Sequence, residues 1–452
     1  MIYSLPQQDE ISKDNWRLFL TNNYSDFGSK ISSIKSINKN GALFMLANQS
    51  PVQFLGVDQL QTDAGTKVTI GDGGLFSQPL QNLVNSDGSY EYGSNQGRFC
   101  AVGTTHGVFW VSQNQGKVFQ FGGQLDEISR NGMKWWFANY LPSQLLKAFP
   151  EYPLYDNQVM GVGVQMIYDN THEILYITKK DYKPKFSDLV YDSKGFYRLI
   201  NGEKKYYTFK SEAFEESSWT VSYDPKSKMW LSFHDWIPTF LIPGRSHFMS
   251  VNSNTVWKHN QRCDKFANFY NKDYPFEVEY VSSTGQTVAT ARNIEYLLET
   301  YKYHNNCADK FHVLDQNFDQ AIIYNSEQIS GLLELRLKSK TNPVDMLSYP
   351  QIGSSSIRIN FSKEENKYRF NQFWDVTKDR GEFNSVNLPM FNTKANGYQF
   401  EINPQYVNYQ KAPLERKKFR HNVNRVLLRK LTSNDLKMIF KISNQKIQQS
   451  LR

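Results

Sequence analysis

Residues 164–180 read VQMIYDNTHEILYITKK, and residues 219–234 read WTVSYDPKSKMWLSFH. Each stretch runs through apolar residues into Tyr-Asp, crosses four turn-type residues and returns through an apolar triplet. The triplet is Ile174, Leu175, Tyr176 in one stretch and Met229, Trp230, Leu231 in the other. An Asp at a strand end bonds back to the turn backbone, polar residues reverse the chain, and an aromatic-rich strand returns, so each stretch predicts a β-hairpin. Tyr168 and Tyr223 stand 55 residues apart, and a weaker copy, Ser112-Gln113 followed by Val118 and Phe119, begins 56 residues before Tyr168. Recurrence at such a spacing marks a repeat architecture. One hairpin cannot bury its own apolar face, so several must pack together. The expectation is a mainly β chain with a β-propeller-like domain. The two Tyr-Asp hairpins would then sit in neighbouring blades, with Leu175 and Trp230 in the core.

Composition points the same way. Aromatic residues make up 15% of the 452, with 27 Tyr and 31 Phe, while hydrophobic residues reach 39%. Tyr, Phe and Trp suit half-buried pleated surfaces, which favours sheet over helical bundle. Four regions follow along the chain: an extended lead-in with one or two strands over 1–50, the propeller-like domain over 51–262, an antiparallel β-sandwich-like domain over 263–404, and a basic C-terminal segment over 405–452. Within the second region, Leu125 to Phe149 reads as a helical insertion. Strands are expected at Lys67–Ile70, Gly107–Ser112, Gly161–Tyr168, Lys204–Phe209 and Trp219–Tyr223, and longer ones at Phe276–Ser282, Asn293–Tyr303 and Gln320–Tyr324.

The first residues, MIYSLPQQDE, show neither a basic start nor an apolar core, so no secretory signal is expected. No apolar run reaches membrane-spanning length. Cys100, Cys263 and Cys307 are odd in number and far apart, the pattern of free thiols made in a reducing cytoplasm. His259 and Cys263 have the spacing of a metal pair on a helix, but no second pair follows to complete a tetrahedral site.

Other motifs also resolve to bland readings. Gly71-Asp72-Gly73-Gly74 lacks the following helix that a phosphate cradle requires and reads as a turn. Glu212, Glu215 and Glu216 read as a solvated loop rather than a glycosidase dyad. The stretch from Asp224 to Trp230 lacks the Gly and the spacing of a sialidase-type Asp-box. With no complete set of nucleophile, base and orienting group, the chain is expected to be no enzyme, with no cofactor and no catalytic metal.

Several stretches carry a family resemblance: IGDGGLFSQPLQNL (70–83), GRFCAVGTTHGVFWVSQNQGKVFQF (97–121) and SSWTVSYDPKSKMWLSFHDWIPTF (217–240), then VWKHNQ (256–261), YPFEVEYVSS (274–283) and NIEYLLETYKY (293–303). In the order of its strand patterns, over about residues 10 to 435, the chain resembles tail-tip proteins of short-tailed phages. It is most similar to the nozzle or muzzle (tail stabilisation) proteins of crAss-like phages, which are often longer. The resemblance implies a virion structural protein, assembled in the host cytoplasm as a homo-oligomeric ring, a hexamer. That ring sits at the distal end of the tail around the DNA exit channel, against other tail ring or hub proteins. The alternative on the residues alone is a carbohydrate-binding propeller, a receptor-binding tail module or lectin-like protein, whose surface Tyr and Trp stack on sugars.

The charge is unevenly placed. From Lys411 to Arg452 there are 12 Lys or Arg against Glu415 and Asp435, a local +10, while the whole chain carries +8 and the other 410 residues therefore −2. Arg416, Lys417, Lys418 and Arg420 form the densest point. Apolar residues between the charges (Val426, Leu427, Leu428, Met438, Ile439, Phe440) predict an ordered element rather than a solvated tail. Such an element would dock on an acidic neighbour or make transient contact with the phosphates of exiting DNA; the plainer reading is a basic strand pair closing the second domain.

Overall fold

The computed structural model describes residues 1–2, 4, 14–38, 41–46, 50–55, 59–61, 67–69, 80–83, 97–152, 162–260, 265–283, 285, 287–304, 308–337, 350–378, 393–394, 397–398, 402, 407–431 and 435–441. The Gly71–Gly74 turn, Cys263 and Cys307 lie outside them. The chain is mainly β and divides into two units, Met1–His259 and Asn260–Arg452.

The first unit is a succession of small antiparallel sheets. β1 (Ile31–Asn38), β2 (Gly41–Leu46) and β3 (Val52–Leu55) are joined by β6 (Gln81–Asn82), while β4 (Gln59–Gln61) and β5 (Lys67–Thr69) pair with each other. The second sheet is the meander β7 (Ala101–Thr104), β8 (Gly107–Ser112), β9 (Lys117–Phe121), β10 (Leu125–Asp126). The expected helical insertion follows as α1 (Lys134–Tyr140) and α2 (Gln144–Ala148), although its first two residues are β10. The third sheet begins with β11 (Gly163–Asp169) and β12 (Ile174–Lys180). It is interrupted by β13 (Tyr182–Pro184), β14 (Val190–Asp192), β15 (Gly195–Ile200), β16 (Glu203–Tyr207) and β17 (Phe214–Glu216), and is completed by β18 (Trp219–Asp224) and β19 (Met229–His234). β20 (Phe240–Ile242), β21 (Met249–Asn252) and β22 (Thr255–Lys258) form the fourth sheet.

The first strands of these sheets are neighbours, β1 beside β7, β7 beside β11 and β11 beside β20. Polar bonds stitch them: the Met166 amide donates to the Phe99 carbonyl, and the buried Gln165 side chain donates to Thr239 and accepts from the Leu241 amide. Sheets packed side by side bury both faces. Val108 to Ser112, Val164 to Asp169 and Trp219 to Tyr223 are accordingly buried at every position instead of alternating.

The recurring hairpins form as read, but not where expected. Asp169 accepts from the Thr171 amide at 3.0 Å, and Asp224 from the Lys226 amide at 2.8 Å. The residue before each returning strand, Glu173, Lys228 and, in the weak copy, Gly116, has a positive φ of 57°, 55° and 64°. Gly116 is required there, because a Cβ would stand 2.8 Å from the Ala138 Cα. Both Tyr-Asp hairpins nevertheless belong to one sheet, so the neighbouring-blade assignment is corrected. The 55-residue spacing comes from the insertion between β12 and β18, not from a blade period. Leu175 and Trp219 are fully buried, whereas Trp230, on the edge strand, is half-buried and donates its indole N–H to the Ile128 carbonyl. Glu215 and Glu216 are exposed as expected, but on strand β17 rather than in a loop.

One buried ion pair joins the insertion to its sheet. Lys179 (1% exposed) meets Asp181 (0%) at 2.6 Å and donates to the Tyr140 and Pro142 carbonyls. Asp181 accepts from the Ser143 hydroxyl and from the amides of Gln144, Leu145 and Tyr182, which caps the start of α2. Between the third and fourth sheets, Tyr176, Trp236 and Phe248 enclose two histidines. His259 lies flat on Phe248 at 4.4 Å and bonds the Ser250 hydroxyl; His234 bonds the Ser222 hydroxyl. Burial pushes both down to about 4.

The second unit opens with the pair β23 (Asn268–Phe269) and β24 (Lys272–Asp273), then β25 (Phe276–Ser283), β26 (Ala289–Thr290), β27 (Ile294–His304) and β28 (Asp309–His312). β29 (Gln320–Tyr324), β30 (Leu333–Leu337), β31 (Gln351–Ile352), β32 (Ile357–Glu364) and β33 (Lys367–Phe370) follow, and β34 (Thr393–Lys394) pairs with β35 (Gly397–Tyr398). Residues of the basic segment supply β36 (Arg420–His421), β37 (Val423–Lys430) and β38 (Leu436–Lys441).

Instead of two separately bonded sheets, ten strands connect in the order β25-β37-β29-β30-β32-β33-β27-β28, with β31 on β32 and β38 on β27; β30 and β32 run parallel. Clean alternation along β27 turns Ile294, Tyr296 and Leu298 inward. The sheet curls until Tyr280 of β25 stands 5.6 Å from Phe440 of β38, ring centre to ring centre, a half-barrel around Tyr296 and Phe318.

Two stability tests follow from these buried groups. Asp181→Ala leaves the Lys179 ammonium buried without its carboxylate and should cost roughly 3–5 kcal/mol in denaturant unfolding. Lys179→Met should cost less, because Asp181 keeps its amide donors. The histidines set a pH dependence. Their folded values lie near 4 and their unfolded values near 6.5, so only the unfolded chain takes up protons between those limits. Their contribution is complete above about pH 6.5 and is lost as pH falls toward 4. Calorimetry should show Tm falling across that window, with a shallower fall in a His234→Gln/His259→Gln chain.

Candidate functional site

The basic cluster lies just after a short 3-10 turn at Pro413–Glu415, where the Glu415 carboxylate accepts from the Ala412 amide. The chain then runs extended and is held from three sides. The Lys417 carbonyl accepts from the Asp375 amide at 2.8 Å, and the Phe419 carbonyl from the Ala291 amide at 2.9 Å. Gln328, itself buried, donates to the Lys418 carbonyl and accepts from the Arg420 amide. Phe419 sits fully buried between them. Apolar burial of one side chain and four backbone bonds thus fix a stretch that carries four cations.

The four cations are not equivalent. Arg416 is half-buried; its guanidinium lies over the Trp374 ring at 4.5 Å and its Nε donates to the Lys411 carbonyl. Lys417, Lys418 and Arg420 are exposed and take no part in any ion pair among the described residues. Four other cations of the segment are matched by carboxylates on or beside neighbouring strands. Arg425 meets Glu279 at 3.4 Å, Arg429 meets Glu277 at 2.8 Å, Lys430 meets Asp319 at 2.8 Å and Lys441 meets Glu299 at 2.6 Å. Lys441 holds the Glu299 carboxyl below its ordinary range. The densest part of the local +10 is therefore left at the surface as a short row at Lys417, Lys418 and Arg420, with Lys437 exposed separately on β38.

Sequence reasoning passed over a second surface. An open groove runs along β19, lined by Asn131, Met133, Met229, Trp230, Leu231 and Phe233. Its sequence signal is the cluster of large apolar residues Met229, Trp230, Leu231 and Phe233; in the fold Trp230 lies against Phe137 and Phe233 against Trp136 of α1. Among the described residues no group of three or more His, Cys, Asp or Glu stands where it would hold a metal, and no helix is long and apolar enough to cross a membrane.

No family model matches the chain, and no curated protein matches it either. Among solved structures it is similar to the extracellular domain of BT4673 from B. thetaiotaomicron, assigned to a one component system, with 8% identity and a TM-score of 0.22 over 79% of this chain and 47% of that one. The chain thus spans about half the length of that structure.

Because Lys417, Lys418 and Arg420 touch no carboxylate among the described residues, replacing all three by Gln should change stability by no more than about 0.5 kcal/mol per site. Arg416→Gln should cost more, since it also removes the stacking on Trp374. Thermal unfolding of the two variants checks the difference.

Proposed function

We propose that this chain is a virion structural protein of a short-tailed phage, forming the distal tail nozzle or muzzle ring around the DNA exit channel as a homo-hexamer. In this reading the four sheets whose first strands are neighbours (β1, β7, β11 and β20) are blades of a propeller-like platform, and the curved ten-stranded sheet is the sandwich-like second domain. The observation that carries the reading is the row of cations at Lys417, Lys418 and Arg420, without carboxylate partners among the described residues and on a stretch of backbone that is fixed from three sides. A rigid row of like charge is suited to a polyanion that slides past, or to an acidic face on another tail ring or hub protein. A flexible tail would instead lose entropy on every contact. The chain acts as a rigid part, without chemistry of its own, and resides in the tail of the virion.

Light scattering followed by particle imaging tests the proposal. The expected result is a closed ring of six copies with a central pore. A monomer or trimer that retains glycans overturns it in favour of the carbohydrate-binding propeller. Within rings, the Lys417→Gln/Lys418→Gln/Arg420→Gln chain should keep its assembly and lose weak, salt-sensitive retention of double-stranded DNA.

A further inference from the structure

Two exposed apolar features of the first unit complement each other. The first is the outer edge of β19. Among the described residues this strand pairs with β18 alone, so its other edge is open. Met229 is 58% exposed, and Leu231, Phe233 and, from α1, Trp135 are exposed with it. An open edge with apolar side chains is what soluble proteins normally cover or charge.

The second feature is the lead-in. Trp16, Leu18, Phe19 and Leu20 are all exposed, Phe19 by 54%, and the short 3-10 turn at Asn15–Arg17 buries nothing. The backbone at Leu18 and Leu20 is already extended, with φ/ψ of −95°/117° and −81°/155°. Four large apolar side chains within five residues, all facing water, are costly unless another surface covers them.

We infer that the segment Trp16–Leu20 of one copy lies along the open β19 edge of a second copy. Extended backbone adds to a free edge, and alternate apolar side chains fill the groove. The charges also match. Arg17 of the segment is loosely paired at 3.6 Å with Asp14 just before it, and the groove is flanked by Lys228 and Asp126, loosely paired at 3.7 Å. Exchanging partners gives Asp14 with Lys228 and Arg17 with Asp126. Within one chain the segment leads into the first sheet and the groove belongs to the third, with the second sheet between them, so the contact joins different copies. Unlike patches that meet head to tail close into a ring when the rotation between copies allows it. The inference rests on the ring reading and supplies the contact that builds the ring.

The test uses the full chain carrying a photo-crosslinking phenylalanine analogue at position 19, mixed with a copy that bears a different affinity tag. Crosslinks should join the two tags and map to residues 228–234. Leu18→Asp and Leu231→Asp, both at exposed positions, should each weaken association by at least about tenfold, read by mass photometry, with Tm unchanged. Rings that survive both substitutions, or crosslinks that map elsewhere or within one copy, overturn this contact and leave the ring reading standing. A wild-type chain that stays monomeric overturns both.

Discussion

The first unit depends on one buried carboxylate. Asp181 directly follows β12, accepts from the corner before α2, and starts the insertion through its bond from the Tyr182 amide. Its own amide donates to the Ser218 hydroxyl and its carbonyl accepts from the Ser217 amide, so the return into β18 meets the same residue. Three separate pieces of chain meet there. Burial lowers the Lys179 ammonium from its ordinary value, and the Asp181 charge is what opposes that loss. A pair this deep adds little net stability relative to an apolar substitute, because desolvation offsets most of the attraction. What it adds is geometry: with four amide or hydroxyl donors and one ammonium to match, the helical corner and the insertion have one way to sit on the sheet.

That node also explains how far the sequence could be read. The hairpins were legible because their chemistry is local: Asp bonds two residues ahead, and a left-handed residue precedes the return strand. Their assignment to sheets was not, because an insertion and a repeat period produce the same spacing. Nothing within Asp181–Ser218 announces that the chain will come back to pair Leu175 with Tyr223. The Lys-Asp pair was missed for a related reason. Lys179 and Asp181 look like the polar end of a strand, and only tertiary packing makes them interior. The strands that did emerge from pattern alone, such as Gln320–Tyr324 and Trp219 onward, are those whose apolar runs need no partner to be recognised.

In the second unit the sequence showed the charge but not its cancellation. Arg425, Arg429 and Lys430 lie on β37, a strand in the middle of the sheet, so each outward cation has a carboxylate on an adjacent strand. Cross-strand pairs of opposite sign are an ordinary device of sheet register. The row at Lys417, Lys418 and Arg420 escapes this because its stretch leaves the main sheet and is bonded through Gln328, Asp375 and Ala291, which contribute backbone and amide groups but no carboxylate to these side chains.

The same arithmetic bears on how a polyanion would meet the proposed ring. Three exposed cations per copy that each neutralise one phosphate give a salt slope of only about −2.7 for duplex DNA. Contacts of that order guide without holding, and a surface that had kept the full local charge would hold. The carboxylates on β25 and its neighbours are therefore as much part of the candidate site as the cations themselves. By compensating Arg425, Arg429, Lys430 and Lys441, they take four cations out of the free charge around the row, whose backbone is fixed by Gln328, Asp375 and Ala291.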